Sequence, residues 1–148
     1  MPYSDLLKGR YSQIHREYFI TFCCYKRTPF FASAKLAQLF CTTITTNEQA
    51  CGCQWLTWVL MPDHFHGLVL LHHSDLSACI RHLKGCTAAM VNRQLQRRGK
   101  VWQSGFYDHA LREDEQRIHI ARYIVANPLR KGIVSNVRLY PYWNSVYL

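Results

Sequence analysis

Met61-Pro62-Asp63-His64-Phe65-His66-Gly67-Leu68-Val69-Leu70-Leu71 is the stretch on which the reading of this chain turns. Proline lacks an N–H and restricts the residue before it, so Met61-Pro62-Asp63 breaks the preceding apolar run. From His64 onward the stretch is apolar apart from two histidines, which predicts a buried strand. Strand side chains alternate with period two, so His64 and His66 share a face. Two imidazoles held side by side on a rigid strand make half of a metal site. Taken alone, the pair reads first as hydrogen-bonded core histidines. Asp63 falls on the other face of a regular strand and is not a first-choice ligand.

Working outward, residues 53–60 form a second apolar strand, paired antiparallel with the histidine strand through the short turn. Residues 15–25 are β-branched and aromatic, a first strand, and residues 1–15 read as irregular. Ser33 caps a helix over about 34–49, with Leu36, Leu39 and Phe40 on one face and Gly52 marking its end. Ser74-Asp75 caps a second helix, which carries Leu76, Ile80, Leu83, Thr87 and Leu95 at helical spacing and stops at Gly99. Residues 101–111 read as a fourth strand, bent at Gly105. Glu113-Asp114-Glu115 suits the N-terminus of a third helix, which runs to about Ala126. The order β-α-β-β-α-β-α predicts an α+β fold: a ferredoxin-like split β-α-β antiparallel sheet with flanking helices and an extra C-terminal helix. Residues 1–148 read as a single domain, with 133–148 an aromatic tail lying across its body.

Of the 148 residues, 49% are hydrophobic and 18% charged, a globular composition rather than a disordered one. No apolar run approaches the roughly 18 residues of a membrane span. Residues 1–11 contain no apolar core of a signal peptide, so a cytoplasmic, nucleoid-associated protein is expected. Seven cysteines without a C-x-x-C pair suggest reduced, mostly buried thiols. The net charge of +9 favours a polyanionic partner, and four Trp, nine Tyr and seven Phe offer stacking surfaces for unpaired bases.

On a helical wheel Ile118, Ile120, Ala121, Ile124 and Val125 share one arc, which is the buried face. Glu115, His119, Tyr123 and Asn127 recur every fourth residue on the other side. Tyr123 in that position is either an amphipathic edge residue or a nucleophile. Its unperturbed pKa of about 10 leaves roughly one phenol in a thousand ionised at pH 7, so attack on a phosphodiester needs help. A divalent metal could supply that help, and Arg122 and Arg130 could add positive field. Asn127, one turn beyond Tyr123, could give an amide oxygen as third ligand beside His64 and His66. Such a nitrogen and oxygen donor set suits Mg²⁺ or Mn²⁺.

His64-Phe65-His66 together with Arg122-Tyr123-Ile124-Val125-Ala126-Asn127-Pro128 resembles the REP-associated tyrosine transposases. These are relatives of the single-tyrosine insertion-sequence transposases within the HUH endonuclease superfamily. The resemblance extends to Gly9-Arg10-Tyr11 and to Tyr140-Pro141-Tyr142-Trp143-Asn144-Ser145. It implies a metal-dependent single-stranded DNA endonuclease and strand transferase acting on REP-type palindromic hairpins beside a guide tetranucleotide. It also implies that Tyr123 attacks the phosphate to leave a 5′-phosphotyrosine and a free 3′-hydroxyl, with His64, His66 and Asn127 holding the metal. A monomer is expected. Arg10, Arg16, Arg81 and Lys84 are candidate DNA contacts, with Arg122 and Arg130 near the tyrosine. Rival readings are a domesticated palindrome binder with little cleavage, an RNA binder, a water-using metal hydrolase, and a small zinc protein built on Cys51, Cys53, His64 and His66.

Overall fold

The computed structural model describes residues 16–148. Five antiparallel strands form one sheet: β1 (Glu17–Cys23), β2 (Cys53–Leu60), β3 (His64–Leu71), β4 (Tyr107–Ala110) and β5 (Trp143–Ser145), in spatial order β4-β1-β3-β2-β5. The helices are α1 (Ala34–Cys51), α2 (Leu76–Leu95), α3 (Arg117–Val125) and the short α4 (Asn127–Arg130). The first four strands have the expected split β-α-β arrangement, and β5 adds to the outer edge of β2.

The two central strands are apolar on both faces because both faces are covered. On one side Phe65 packs against Phe22 and Phe40, with ring centroids 4.9 and 5.3 Å apart. This core takes in Leu36 and Ile44 of α1 and Ile80, Leu83 and Val91 of α2. On the other side Val59, Leu68 and Met61 meet Leu111, Ile124 of α3 and Tyr140. The alternation of Phe65 with His64 and His66 therefore puts both histidines on the α3 face.

Local signals explain the helix ends. The Ser33 hydroxyl accepts from the Leu36 N–H, and Asp75 accepts from the Ala78 N–H. Gly52 ends α1 in the left-handed region, φ +60°, as expected, and the helix itself runs to Cys51, two residues past the expected 49.

Several expectations need correction. α2 ends at Leu95 and is capped by Gln96, which itself takes φ +51°, so Gly99 is a loop residue rather than the stop. The stretch 101–111 is not one strand. Trp102 makes an isolated bridge to Cys24, Gly105 turns the chain at φ +78°, and only Tyr107–Ala110 pair with β1. The acidic triplet lies before α3 rather than in its first turn. Glu115 instead accepts from the Arg112 N–H and bonds to His109. Ile118 is exposed although the wheel put it on the buried arc. Asn127 is not on the exposed side. Ala126 (φ −79°, ψ −3°) breaks the helix, Pro128 sits in the first turn of α4, and Asn127 turns inward to 4% exposure. The tail contributes an edge strand, with Tyr140 bonded to the Leu60 carbonyl.

Candidate active site

His64 opens β3 and His66 follows two residues later, with ring centroids 4.8 Å apart and planes nearly perpendicular. Each ring is oriented through Nδ1. His64 Nδ1 donates to Asp63 Oδ1 at 2.7 Å, and Asp63 Oδ2 accepts from Arg27 Nε at 3.0 Å. His66 Nδ1 lies 2.8 Å from the Thr21 hydroxyl, which stands directly across the β1–β3 register. Among the described residues neither Nε2 has a hydrogen-bond partner. That is how a metal-binding imidazole is usually held, with the remote nitrogen oriented and the near one left open.

Burial lowers the pKa of His64, against the pull of Asp63. His66 is lowered to about 3, first by burial and then by His64, Arg130 and Lys131. Both rings are therefore neutral near pH 7, the form in which a histidine lone pair can bind a cation. Burial pushes the Asp63 carboxyl up, but its bonds to His64 and Arg27 outweigh that and leave it lowered.

Asn127 completes the donor inventory. Its amide nitrogen donates to the Ile124 carbonyl at 3.0 Å, while Oδ1 accepts from no group among the described residues. A buried orphan acceptor costs about 1–3 kcal/mol, a cost that a bound cation removes. Open imidazole nitrogens and an orphan amide oxygen are each donor types that a divalent ion of the Mg²⁺ or Mn²⁺ class accepts. Among the described residues no three His, Cys, Asp or Glu side chains converge as a metal cluster.

Tyr123 projects from α3 and is 56% exposed. Phe19 bridges it to the histidines, with ring centroids 6.0 Å from His66 and 6.4 Å from Tyr123. The Arg130 guanidinium lies 4.0 Å from the Tyr123 ring centroid, and Arg130 Nη1 donates to the Tyr123 carbonyl at 2.8 Å. Phenol, cation and paired imidazoles thus lie on one face of the sheet. A cleft of about 230 Å³ beside them is lined by Phe19, His109, Glu115, His119, Ile120 and Tyr123.

The other expected contacts are dispersed. Arg122 is exposed on α3. Arg81 and Lys84 lie on α2, across the sheet from the histidines, and line a cleft of about 490 Å³ with Lys100 and Phe106. Lys84 Nζ donates to the Gln103 and Gly105 carbonyls at 2.7 and 2.8 Å, and burial lowers its pKa to about 8. Arg16 immediately precedes β1 and its carbonyl accepts from Leu71 N–H. Arg10 and the Gly9-Arg10-Tyr11 segment lie outside the described residues.

Sequence reasoning missed Thr21 and the role of Asp63. Thr21 appears only once the β1–β3 register is known. Asp63 lies in the turn rather than the strand, so strand alternation does not govern it, and its adjacency to His64 was the available signal. The zinc alternative fails on topology. Cys53 pairs with Leu71 and Leu60 with Phe65, which puts the cysteines and His64 at opposite ends of the hairpin.

The model of the family described as "Transposase IS200 like" matches residues 12–127, a span that contains both histidines, Tyr123 and Asn127. The chain belongs to this family. Two curated relatives of the chain carry the name REP-associated tyrosine transposase. The Haemophilus influenzae protein is 32% identical over 94 residues, covering 56% of this chain and 53% of its own. The Escherichia coli protein is 29% identical over 87 residues, covering 57% and 50%. The chain spans about half the length of the curated relatives it matches. Among solved structures, a REP-associated tyrosine transposase bound to a REP hairpin superposes with a TM-score of 0.72. That match covers 90% of this chain and 79% of the other at 22% identity, a shared fold. No helix among the described residues is long and apolar enough to cross a membrane.

Proposed function

We propose that this chain is a metal-dependent single-stranded DNA endonuclease and strand transferase that acts on REP-type hairpins through a covalent 5′-phosphotyrosine. The observation that carries the reading is the exposed Tyr123 on the same sheet face as two neutral, pre-oriented imidazoles. His64, His66 and Asn127 would hold a divalent cation, Mg²⁺ or Mn²⁺. Such an ion supplies charge neutralisation at the scissile phosphate.

The chain's own groups do the rest. The Tyr123 hydroxyl forms the O–P bond while the bond from phosphorus to the 3′ oxygen breaks. The phenolic proton leaves to solvent, and the departing oxygen takes one up to become a 3′-hydroxyl. Phosphodiester energy stays in the phosphotyrosine, so a later 3′-hydroxyl can reverse the step without ATP. Arg130 steadies the phenol and places positive charge where phosphate charge develops. Asp63 and Thr21 keep both imidazoles turned with Nε2 free.

The DNA partner is a single-stranded hairpin with an adjacent guide tetranucleotide, bound by a monomer in the nucleoid-containing cytoplasm. Arg16, Arg81, Lys84 and Arg122, with Arg10, are the proposed contacts. Arg81→Ala should reduce the salt slope of hairpin binding by about one. An unchanged slope removes Arg81 from the phosphate contacts.

The test is an end-labelled REP-type hairpin incubated with the full chain and Mn²⁺ or Mg²⁺. Wild type should cut it, and EDTA should stop the cut. Tyr123→Phe and His66→Ala should bind the hairpin without cutting it. Binding with no cleavage by wild type would identify a palindrome-binding protein instead. Cleavage by Tyr123→Phe would identify a hydrolase that uses water.

A further inference from the structure

Four of the seven cysteines are linked through Asn47 and His82, near the end of the β2–β3 hairpin opposite His64. Cys51 ends α1, Cys53 opens β2, and Cys79 and Cys86 lie on α2. The sulfurs of Cys53 and Cys79 are 3.1 Å apart, a short movement from the roughly 2.05 Å of a disulfide. Asn47 Nδ2 lies 3.8 Å from Cys51 Sγ and 3.0 Å from His82 Nδ1, and His82 Nε2 lies 3.6 Å from Cys86 Sγ, so one hydrogen-bonded path joins Cys51 and Cys86 to the pair.

Asn47, fully buried, organises the cluster. The Trp55 indole N–H is a donor only, so its 2.7 Å contact fixes which amide atom is Oδ1. Asn47 Nδ2 then donates to the Cys79 carbonyl and to His82 Nδ1, each at 3.0 Å. A neutral His82 that accepts at Nδ1 carries its proton on Nε2, 3.6 Å from Cys86 Sγ. Cys86 and Cys51 are half-buried, whereas Cys53 and Cys79 are buried. A partly accessible sulfur with an imidazole N–H beside it thus heads a row of thiols leading inward.

We propose that this cluster is a thiol-oxidation site for hydroperoxides, entered at Cys86 and ending in a Cys53–Cys79 disulfide. The Cys86 sulfur attacks the peroxide, the O–O bond breaks, and a sulfenic acid forms with release of water or an alcohol. Charge building on that sulfur is met by the His82 N–H. The Cys51 thiol attacks the sulfenic sulfur, expelling water and forming a Cys51–Cys86 disulfide. Exchange carries the bond inward: Cys79 attacks Cys51 and frees Cys86, then Cys53 attacks Cys79 and frees Cys51. Overall two thiols lose two electrons and two protons, and one peroxide O–O bond is reduced. The contact with Cys53 and then burial hold the Cys79 thiol well above its ordinary range, and burial raises Cys51, so the inward steps quicken with pH. The product stitches α2 to the start of β2. This site stands independently of the DNA chemistry.

The experiment treats the full chain with hydrogen peroxide, blocks residual thiols by alkylation, and maps non-reduced peptides by mass spectrometry. The Cys53–Cys79 pair should dominate, and the melting midpoint should rise by on the order of 5–10 °C. Cys86→Ser, at a half-buried position, should slow formation of the pair about tenfold. Cys53→Ala, a small-for-small change, should strand the bond on Cys51 with Cys79 or Cys86. The proposal is overturned if Cys23, Cys24 or Cys41 cross-link in equal yield. It is equally overturned if Cys86 goes to sulfinic acid with no disulfide, or if Cys86→Ser leaves the rate unchanged.

Discussion

Gly67→Ala should destabilise this protein, against the usual trend for replacing a glycine of ordinary backbone conformation. Gly67 follows His66 in β3. A methyl there would lie 2.6 and 2.7 Å from Cζ3 and Cε3 of Trp55 and 3.0 Å from Cε1 of Phe65. Loss of chain freedom in the unfolded state would normally favour alanine by about 0.4–1 kcal/mol. The clash must exceed that gain, because Trp55 has nowhere to go. Its indole N–H is bound to Asn47, its edge meets Phe65 at 5.2 Å, and Asn47 is itself held by Cys79 and His82. Overpacking of this kind costs about 1–3 kcal/mol, and the rigidity of Trp55 places Gly67→Ala near the top of that range. At about 2–4 °C per kcal/mol the melting midpoint should fall by roughly 5–10 °C. Urea titrations of wild type, Gly67→Ala, Trp55→Phe and the double variant form a cycle. Phenylalanine frees the space the methyl needs, so the double variant should be more stable than additivity allows by at least about 1 kcal/mol. Equal stability of Gly67→Ala and wild type, or strict additivity in the cycle, would refute the packing argument.

Three further outcomes follow from the same structure. His66 is neutral in the folded protein down to about pH 3 but titrates near 6.5 when unfolded, so the unfolded chain binds the extra proton between those values. Stability should therefore fall as pH drops below 6.5, with His66 contributing about 2 kcal/mol of the loss at pH 5. His66→Gln should remove that contribution in urea titrations of metal-free protein. Arg130→Gln takes the cation off the Tyr123 ring at an exposed position, so it should cost under about 1 kcal/mol of stability. It should also slow phosphotyrosine formation at least about tenfold in single-turnover gels. Ser33→Ala removes the α1 cap and should lower stability by about 1 kcal/mol by thermal melting, with hairpin binding unchanged.

The central hairpin was legible because its signals are local. Gly52 and Pro62 bound two apolar runs, and period-two alternation alone assigns His64 and His66 to one face. Tyr123 was legible as the exposed member of an amphipathic helix. The rest depends on tertiary context. Asn127 follows the wheel only until Ala126 leaves helical geometry, after which the side chain turns inward. Residues 101–106 are apolar enough for a strand, but Gly105 turns the chain and Lys84 takes the Gln103 and Gly105 carbonyls. β5 is three residues long and exists because β2 has an open edge. Thr21 acquires its role only from the strand register.

Covalent attachment of Tyr123 to DNA is the central step of the proposed chemistry. Incubation of the full chain with a REP-type hairpin and Mn²⁺, nuclease trimming and peptide mass spectrometry would locate the attachment. A nucleotide joined through a 5′-phosphate to Tyr123 is the expected result. Attachment at another residue, or cleaved DNA with no protein-linked nucleotide, would contradict it.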